Sequence, residues 1–194
     1  MQGQPRLFLS AFAAALFTAF VVTPTSQVKA DDGENGNVVG SWIGTINPGT
    51  PFAFTDLLSL NLGGTASGTN GNAHNSQNTN APPFARVDAS DFFGSWEPIG
   101  HGQIAGTVKW LLFLGPNSPA NTINLYCPPG LTCFPGQNIG VVTLQTTPTL
   151  QHTKNGDRLT GPYTLQYRDL EDNLVFAGFG TLTFSRIAIE PLAP

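Results

Sequence analysis

Residues 103–114, QIAGTVKWLLFL, place Ile104, Gly106, Val108, Trp110, Leu112 and Leu114 on one phase and Gln103, Ala105, Thr107 and Lys109 on the other. Successive side chains of a strand point to opposite sides, so a period of two held over this length means an extended strand with one buried face. The same alternation recurs downstream. Ile139 to Thr153 is rich in Val and Thr, and Asn155-Gly156 suits a tight hairpin turn, since both residues accept positive φ. Leu159 to Arg168 sets Leu159, Tyr163, Leu165 and Tyr167 against Thr160, Thr164 and Gln166. Asp169 to Asn173 turns the chain, and Leu174 to Arg186 reads as a last long strand.

Upstream, Val38 to Ile46 (VVGSWIGTI) puts Val38, Trp42 and Ile46 on one face. Asp56 to Leu62 alternates Leu58, Leu60 and Leu62 against Ser59 and Asn61, and Gly63-Gly64 turns it into Thr65 to Thr69. No window beyond the N-terminal segment carries the 3.6-residue period of an amphipathic helix. The expected class is all-β.

Composition agrees. Only 10% of the 194 residues are charged, too few for a coiled coil or a charged disordered tail, and 22 Gly with 16 Pro imply many turns. Eight Lys and Arg against twelve Asp and Glu leave no basic field for nucleic acid or anionic lipid.

Two segments break the strand pattern. Asn70 to Pro83, NGNAHNSQNTNAPP, is nearly free of apolar residues and reads as a long exposed loop overhanging an opening. Pro116 to Gly136 holds a short apolar piece, Ile123 to Tyr126, before CPPGLTCFPG, and its Gly and Pro demand an irregular excursion. Long antiparallel strands joined by local turns must hide their edges. A single closed up-and-down barrel of about eight strands does so completely, with a two-sheet sandwich as the competing arrangement.

The first 30 residues read as an export signal. Arg6 precedes an apolar run from Leu7 to Val22, Pro24 ends it, and Val28 and Ala30 occupy the −3 and −1 positions of a cleavage site after Ala30. Sixteen apolar residues fall short of the ~20 that span a bilayer. No Cys follows the cut for a lipid anchor. Removing residues 1–30 leaves 164, with six basic and twelve acidic groups. The expected organisation is signal 1–30, polar leader 31–37 and barrel 38–190, in the periplasm or outside the cell, with no membrane insertion after cleavage.

Gly40-Ser41-Trp42 on the first strand resembles the G-x-W signature of lipocalins and the wider calycin group of up-and-down barrels. Arg186, ending the last strand in TLTFSR, stands where those families often place an Arg over that Trp. With GSWEPIGHGQIAGTVKWLLF in the middle and GPYTLQY near the end, the chain resembles exported bacterial-type barrels related to calycins over Val38 to Ile189. The resemblance implies a closed barrel with Gly40, Trp42 and Arg186 as structural residues tying the first strand to the last. The chain departs from the lipocalin pattern in having no match for its second signature, Thr-Asp before a strand turn. Ile187 to Pro194 also leaves no room for a flanking helix.

Cys127 and Cys133 are the two cysteines, and in an exported chain they are expected to form a disulfide. His74, His101 and His152 are scattered, without metal-ligand spacing, and no metal or cofactor is expected. Residues 88–101 cluster Asp88, Asp91, Glu97 and His101. If Glu97 and His101 point inward together, burial could raise the Glu pKa and make an acid/base pair; otherwise Glu97 pairs with a neighbouring strand and His101 caps the turn between Gly100 and Gly102. Ser41 and Ser95 lie outside any G-x-S-x-G, so a hydrolase elbow has no support.

Three functions remain open. The leading expectation is a non-enzymatic barrel that binds a small hydrophobic ligand or a partner surface, with Trp110, Leu112, Tyr163, Leu165 and Phe179 as candidate wall residues. The second is a cyclase- or isomerase-like barrel enzyme using Glu97 and His101. The third is a solidly packed structural or interaction domain.

Overall fold

The computed structural model describes residues 38–50, 53–71, 73, 75–127 and 129–188. The export segment, the polar leader and His74 lie outside the described residues. Among the described residues ten strands are present: β1 (Gly40–Ile46), β2 (Phe54–Asn61), β3 (Thr65–Asn70), β4 (Asp88–Ala89), β5 (Phe92–Gly100), β6 (Gln103–Phe113), β7 (Asn138–Thr146), β8 (Thr149–Thr153), β9 (Gly156–Asp169) and β10 (Leu174–Arg186). Eight of them, β1, β2, β3, β5, β6, β7, β9 and β10, each pair antiparallel with the next along the chain, and β10 returns to β1. The result is a closed eight-stranded up-and-down barrel, the form that the resemblance to calycin barrels implies. β4 and β8 are short additions, pairing with β6 and with β9 and β6.

Closure is in register. Trp42 faces Arg186 and Ile46 faces Leu182. Gly40 shows why the residue before Ser41 lacks a side chain: its φ is +144°, and a Cβ there would lie 2.7 Å from Arg186 Nη1. Inward positions follow the alternation read from the sequence: Ile104, Trp110 and Leu112 on β6, Val142 and Leu144 on β7, Leu159 and Tyr163 on β9, and Leu182 and Phe184 on β10 are all buried.

Several expectations change. Leu62 leaves the strand phase to become part of the β2–β3 turn and is 77% exposed. Ile139 to Thr153 is interrupted at Thr147 and Pro148, where Pro lacks the N–H a ladder needs. The register against β9 nevertheless runs through unshifted, from Thr146↔Tyr163 to Thr149↔Thr160. Of Asn155 and Gly156, only Gly156 takes positive φ, at 105°. β5, which the sequence reading did not recognise as a strand, fills the wall between β3 and β6 despite Pro98. A short helix, α1 (Ala120–Tyr126), occupies part of the Pro/Gly-rich excursion and exceeds the absence of helix expected there. Seven residues are too few to display a repeating apolar stripe, so periodicity could not reveal it. Cys127 and Cys133 are joined in a disulfide just beyond it.

Candidate functional site

A cavity of about 390 Å³ opens at the end of the barrel where β1 finishes and β2 begins. Its walls come from Phe54 on β2, Tyr163, Leu165 and Tyr167 on β9, and Phe176 on β10. Each sits on the inward phase of its strand, so the pleat itself aims them at one space. The remaining wall is the segment between β3 and β4, which brings Asn75, Asn78, Asn80 and Phe84 to the rim. The asparagine-rich stretch expected as an exposed loop thus lies across the opening, with Ser76 and Ala81 buried.

Phe84 anchors this cover. Its ring stacks on Phe176 with centroids 3.8 Å apart and planes within 7°, and meets Tyr167 edge-on at 5.4 Å. Tyr167 and Phe176 are themselves edge-to-face at 6.0 Å. Arrangements of this kind add about 0.5–1.5 kcal/mol per pair beyond burial. Behind Phe84, Tyr126 of α1 donates its hydroxyl to the Phe84 carbonyl at 2.5 Å, and Thr122 donates to Pro83 O at 2.8 Å. Asn75 Nδ2 donates to Ala85 O at 2.6 Å, and Arg86 donates to the carbonyls of Ala81 and Thr79. The cover is therefore tied both to α1 and within itself.

Beneath the aromatic wall lies a polar layer. Asp56 is the next inward position on β2 after Phe54 and is only 6% exposed. One carboxylate oxygen accepts the Gly71 N–H at 3.0 Å. Burial pushes its pKa up to about 7, the Gly71 hydrogen bond opposing only part of that rise. Asn70, its cross-strand neighbour, is buried beside it. Burial likewise raises the Tyr163 hydroxyl, which a bond with Asn47 partly offsets. The Tyr167 hydroxyl is raised by burial, then by Tyr163 and by the Asp56 charge; Asp56 itself does not line the cavity.

Of the five wall residues expected from alternation, Tyr163, Leu165 and Phe179 line this cavity. Trp110 and Leu112 are 5% and 1% exposed in the packed core and do not line it. Phe179 projects outward on β10, 88% exposed, because Gly178 and Gly180 hold the inward phase, but it also borders the cavity. Glu97 and His101 are corrected. Both are exposed, His101 in the β5–β6 turn with φ 52°, so the buried acid/base pair is not formed. His152 is exposed as expected, with Nδ1 2.7 Å from Asp157.

Sequence reasoning missed Asp56 and Phe84. The first carries a legible signal: an acid in phase with Leu58 and Leu60 on a half-buried strand. The second carries none, since only the return of a long connection brings it to the pocket.

A more open depression of about 720 Å³ is lined by Ser95, Thr107, Gln145, Thr164 and Phe179 together with Trp96, Thr146 and Tyr163 on the inward phase of their strands. It is the larger of the two. Yet it lies more open to solvent than the end cavity, which encloses the Phe84, Tyr167 and Phe176 rings, the kind of concave apolar space that small-molecule sites use.

No protein-family model and no curated protein matches the chain. Among solved structures it is similar to rhizavidin in complex with biotin, at 14% identity and a TM-score of 0.36, over 78% of this chain and 94% of that one. Among the described residues, no helix is long and apolar enough to cross a membrane.

Proposed function

We propose that the chain is an exported binding barrel whose end cavity holds a small molecule with an apolar or aromatic body. The observation that carries this reading is the three-ring wall of Phe84, Tyr167 and Phe176 around a cavity of about 390 Å³, within the ~300–1,000 Å³ range of ligand pockets. The rings would enclose the body of the ligand, and the amides of Asn47, Asn75, Asn78 and Asn80 would meet its polar end. Export is supported by the signal-like first 30 residues together with the disulfide, which suits an oxidising compartment.

The test is calorimetric titration of the purified protein with a panel of small aromatic and aliphatic compounds, preceded by mass spectrometry of any co-purified ligand. Phe84→Ala should abolish binding while leaving the barrel folded, since Phe84 lies outside the staves. A panel without a binder, or binding that survives loss of Phe84, would remove the end cavity from consideration.

A further inference from the structure

We propose that the end pocket selects an uncharged ligand, an aromatic or apolar body ending in a neutral group of the carboxamide class that both donates and accepts hydrogen bonds. The inference rests on the binding role proposed above and names the chemistry of the ligand's polar end.

The lining itself carries it. Every described residue around the cavity is uncharged, and the polar side chains among them are those of Asn47, Asn75, Asn78, Asn80, Tyr163 and Tyr167. Charged side chains in the neighbouring segments turn to other partners. Arg86, at the end of the cover, gives its guanidinium to the carbonyls of Ala81 and Thr79, and Arg168 holds Gln166 and Asp172. Asp56 accepts from the Gly71 N–H and does not line the cavity. A ligand ion of either sign would leave water without a counter-charge in the lining. That costs far more than burying a neutral group that finds hydrogen bonds.

The cover also fixes which kind of neutral group is met. Asn75 and Asn78 bracket a single 3-10 turn, Asn75–Gln77, closed by Asn78 N–H donating to Asn75 O at 3.0 Å. Side chains three apart on such a turn eclipse one another, so the two amides share one side, and both line the cavity. Asn75 commits Nδ2 to Ala85 O at 2.6 Å, which leaves its Oδ1 to accept. Asn78 commits Oδ1 to the Asn80 N–H at 3.0 Å, which leaves its Nδ2 to donate. A carboxylate answers only the donor, and an ammonium only the acceptor. A carboxamide answers both. The volume of about 390 Å³ equals about a dozen water-sized volumes, which suits a fused ring with a short polar arm.

The test titrates four probes on one ring system calorimetrically at pH 7: indole-3-acetamide (neutral amide), indole-3-acetate (anion), tryptamine (cation) and 3-methylindole (no polar end). Each goes into the wild type and Asn78→Asp. Aspartate keeps an oxygen for the Asn80 N–H and position 78 is exposed, so the variant is expected to fold, which circular dichroism checks. The acetamide should bind the wild type about 10- to 100-fold more tightly than either ion, and about tenfold more tightly than 3-methylindole. In Asn78→Asp the acetamide should weaken about 3- to 10-fold and tryptamine should gain, while 3-methylindole stays within about twofold. Any other probe matching the acetamide in the wild type, or an acetamide affinity unmoved in Asn78→Asp, overturns the amide assignment and leaves the pocket reading standing. Absence of binding by all four overturns both.

Discussion

The guanidinium carbon of Arg186 lies 4.4 Å from the Trp42 ring centroid, at the register position where the last strand of the barrel meets the first. Arg186 Nε also pairs with Asp157 Oδ2 at 2.9 Å and Nη1 donates to Val39 O at 2.8 Å, so one side chain joins three parts of the chain. Trp42 is fully buried, and its indole N–H donates to Val38 O at 3.1 Å. The two side chains weld the closing seam at the end opposite the pocket.

Arg186→Ala should therefore destabilise the barrel by roughly 2 kcal/mol, allowing for the partial exposure of the guanidinium. Arg186→Lys should lose about half as much, because an ammonium keeps the charge but not the planar fork that serves Asp157 and Val39 together. Urea midpoints of the two variants measure this. Equal losses would show that the fork geometry is unimportant.

Asp157 makes the seam acid-sensitive. The hydrogen bond from His152, then that from Arg186, holds its carboxyl below the usual 3.8, although burial opposes them. A carboxyl with a depressed folded pKa contributes stability that is present above its unfolded value and lost as pH falls through the folded one. The stability gap between wild type and Asp157→Asn should be constant above about pH 4 and close progressively below it. Urea titrations at a series of pH values would show the gap closing, and a gap unchanged at pH 2 would contradict this account.

Asp56 acts in the opposite sense. Its folded pKa stands near 7 against 3.8 for the free group, so between those values the native state holds a proton that the unfolded chain has released. Stability should decline as pH rises through that window and level off above it. Asp56→Asn should flatten the profile and gain on the order of 2–4 kcal/mol at pH 8 relative to the wild type. Thermal melts across pH 4–9 test it, and parallel profiles for the two proteins would show that the carboxyl is not buried in solution.

Tyr126 is a positioning residue for the pocket wall. Tyr126→Phe removes the hydroxyl that holds the Phe84 carbonyl and should cost about 1–2 kcal/mol in stability. It should also weaken ligand binding several-fold although no lining atom changes. Calorimetry at a temperature where both proteins are folded separates the two effects. Unaltered affinity would mean that the Phe84–Phe176 stack holds the cover unaided.

Replacing both Cys127 and Cys133 with Ser should cost about 2 kcal/mol, because the closed loop is short. Both cysteines lie outside the strands, so the far-ultraviolet circular dichroism of the barrel should persist. Loss of the β signal would assign the disulfide a larger role than stiffening its own loop.

The alternation of Gln103 to Leu114 and of Leu159 to Arg168 marked those strands and their inward faces, because period two is a local property of a half-buried strand; Leu174 to Arg186 was legible as a strand, but not that Phe179 points outward. The pairing of the two cysteines was legible for the same reason: it is written in neighbouring residues. β5 was harder, since Pro98 and the run of Gly94, Ser95 and Trp96 obscure its phase.

The site belongs to another level. Phase told which side chains face inward but not at what height along the axis, so Trp110 and Leu112 could not be distinguished from Tyr163 and Leu165. Height depends on strand pairing across the whole barrel, and that pairing put the first two in the packed core and the second two at the open end. Nor could phase show that a polar, asparagine-rich connection would fold back to lay Phe84 on Phe176. Local periodicity determined the staves; contacts between residues far apart in the chain decided where the barrel is filled and where it is hollow, and buried Asp56 with no ion partner among the described residues.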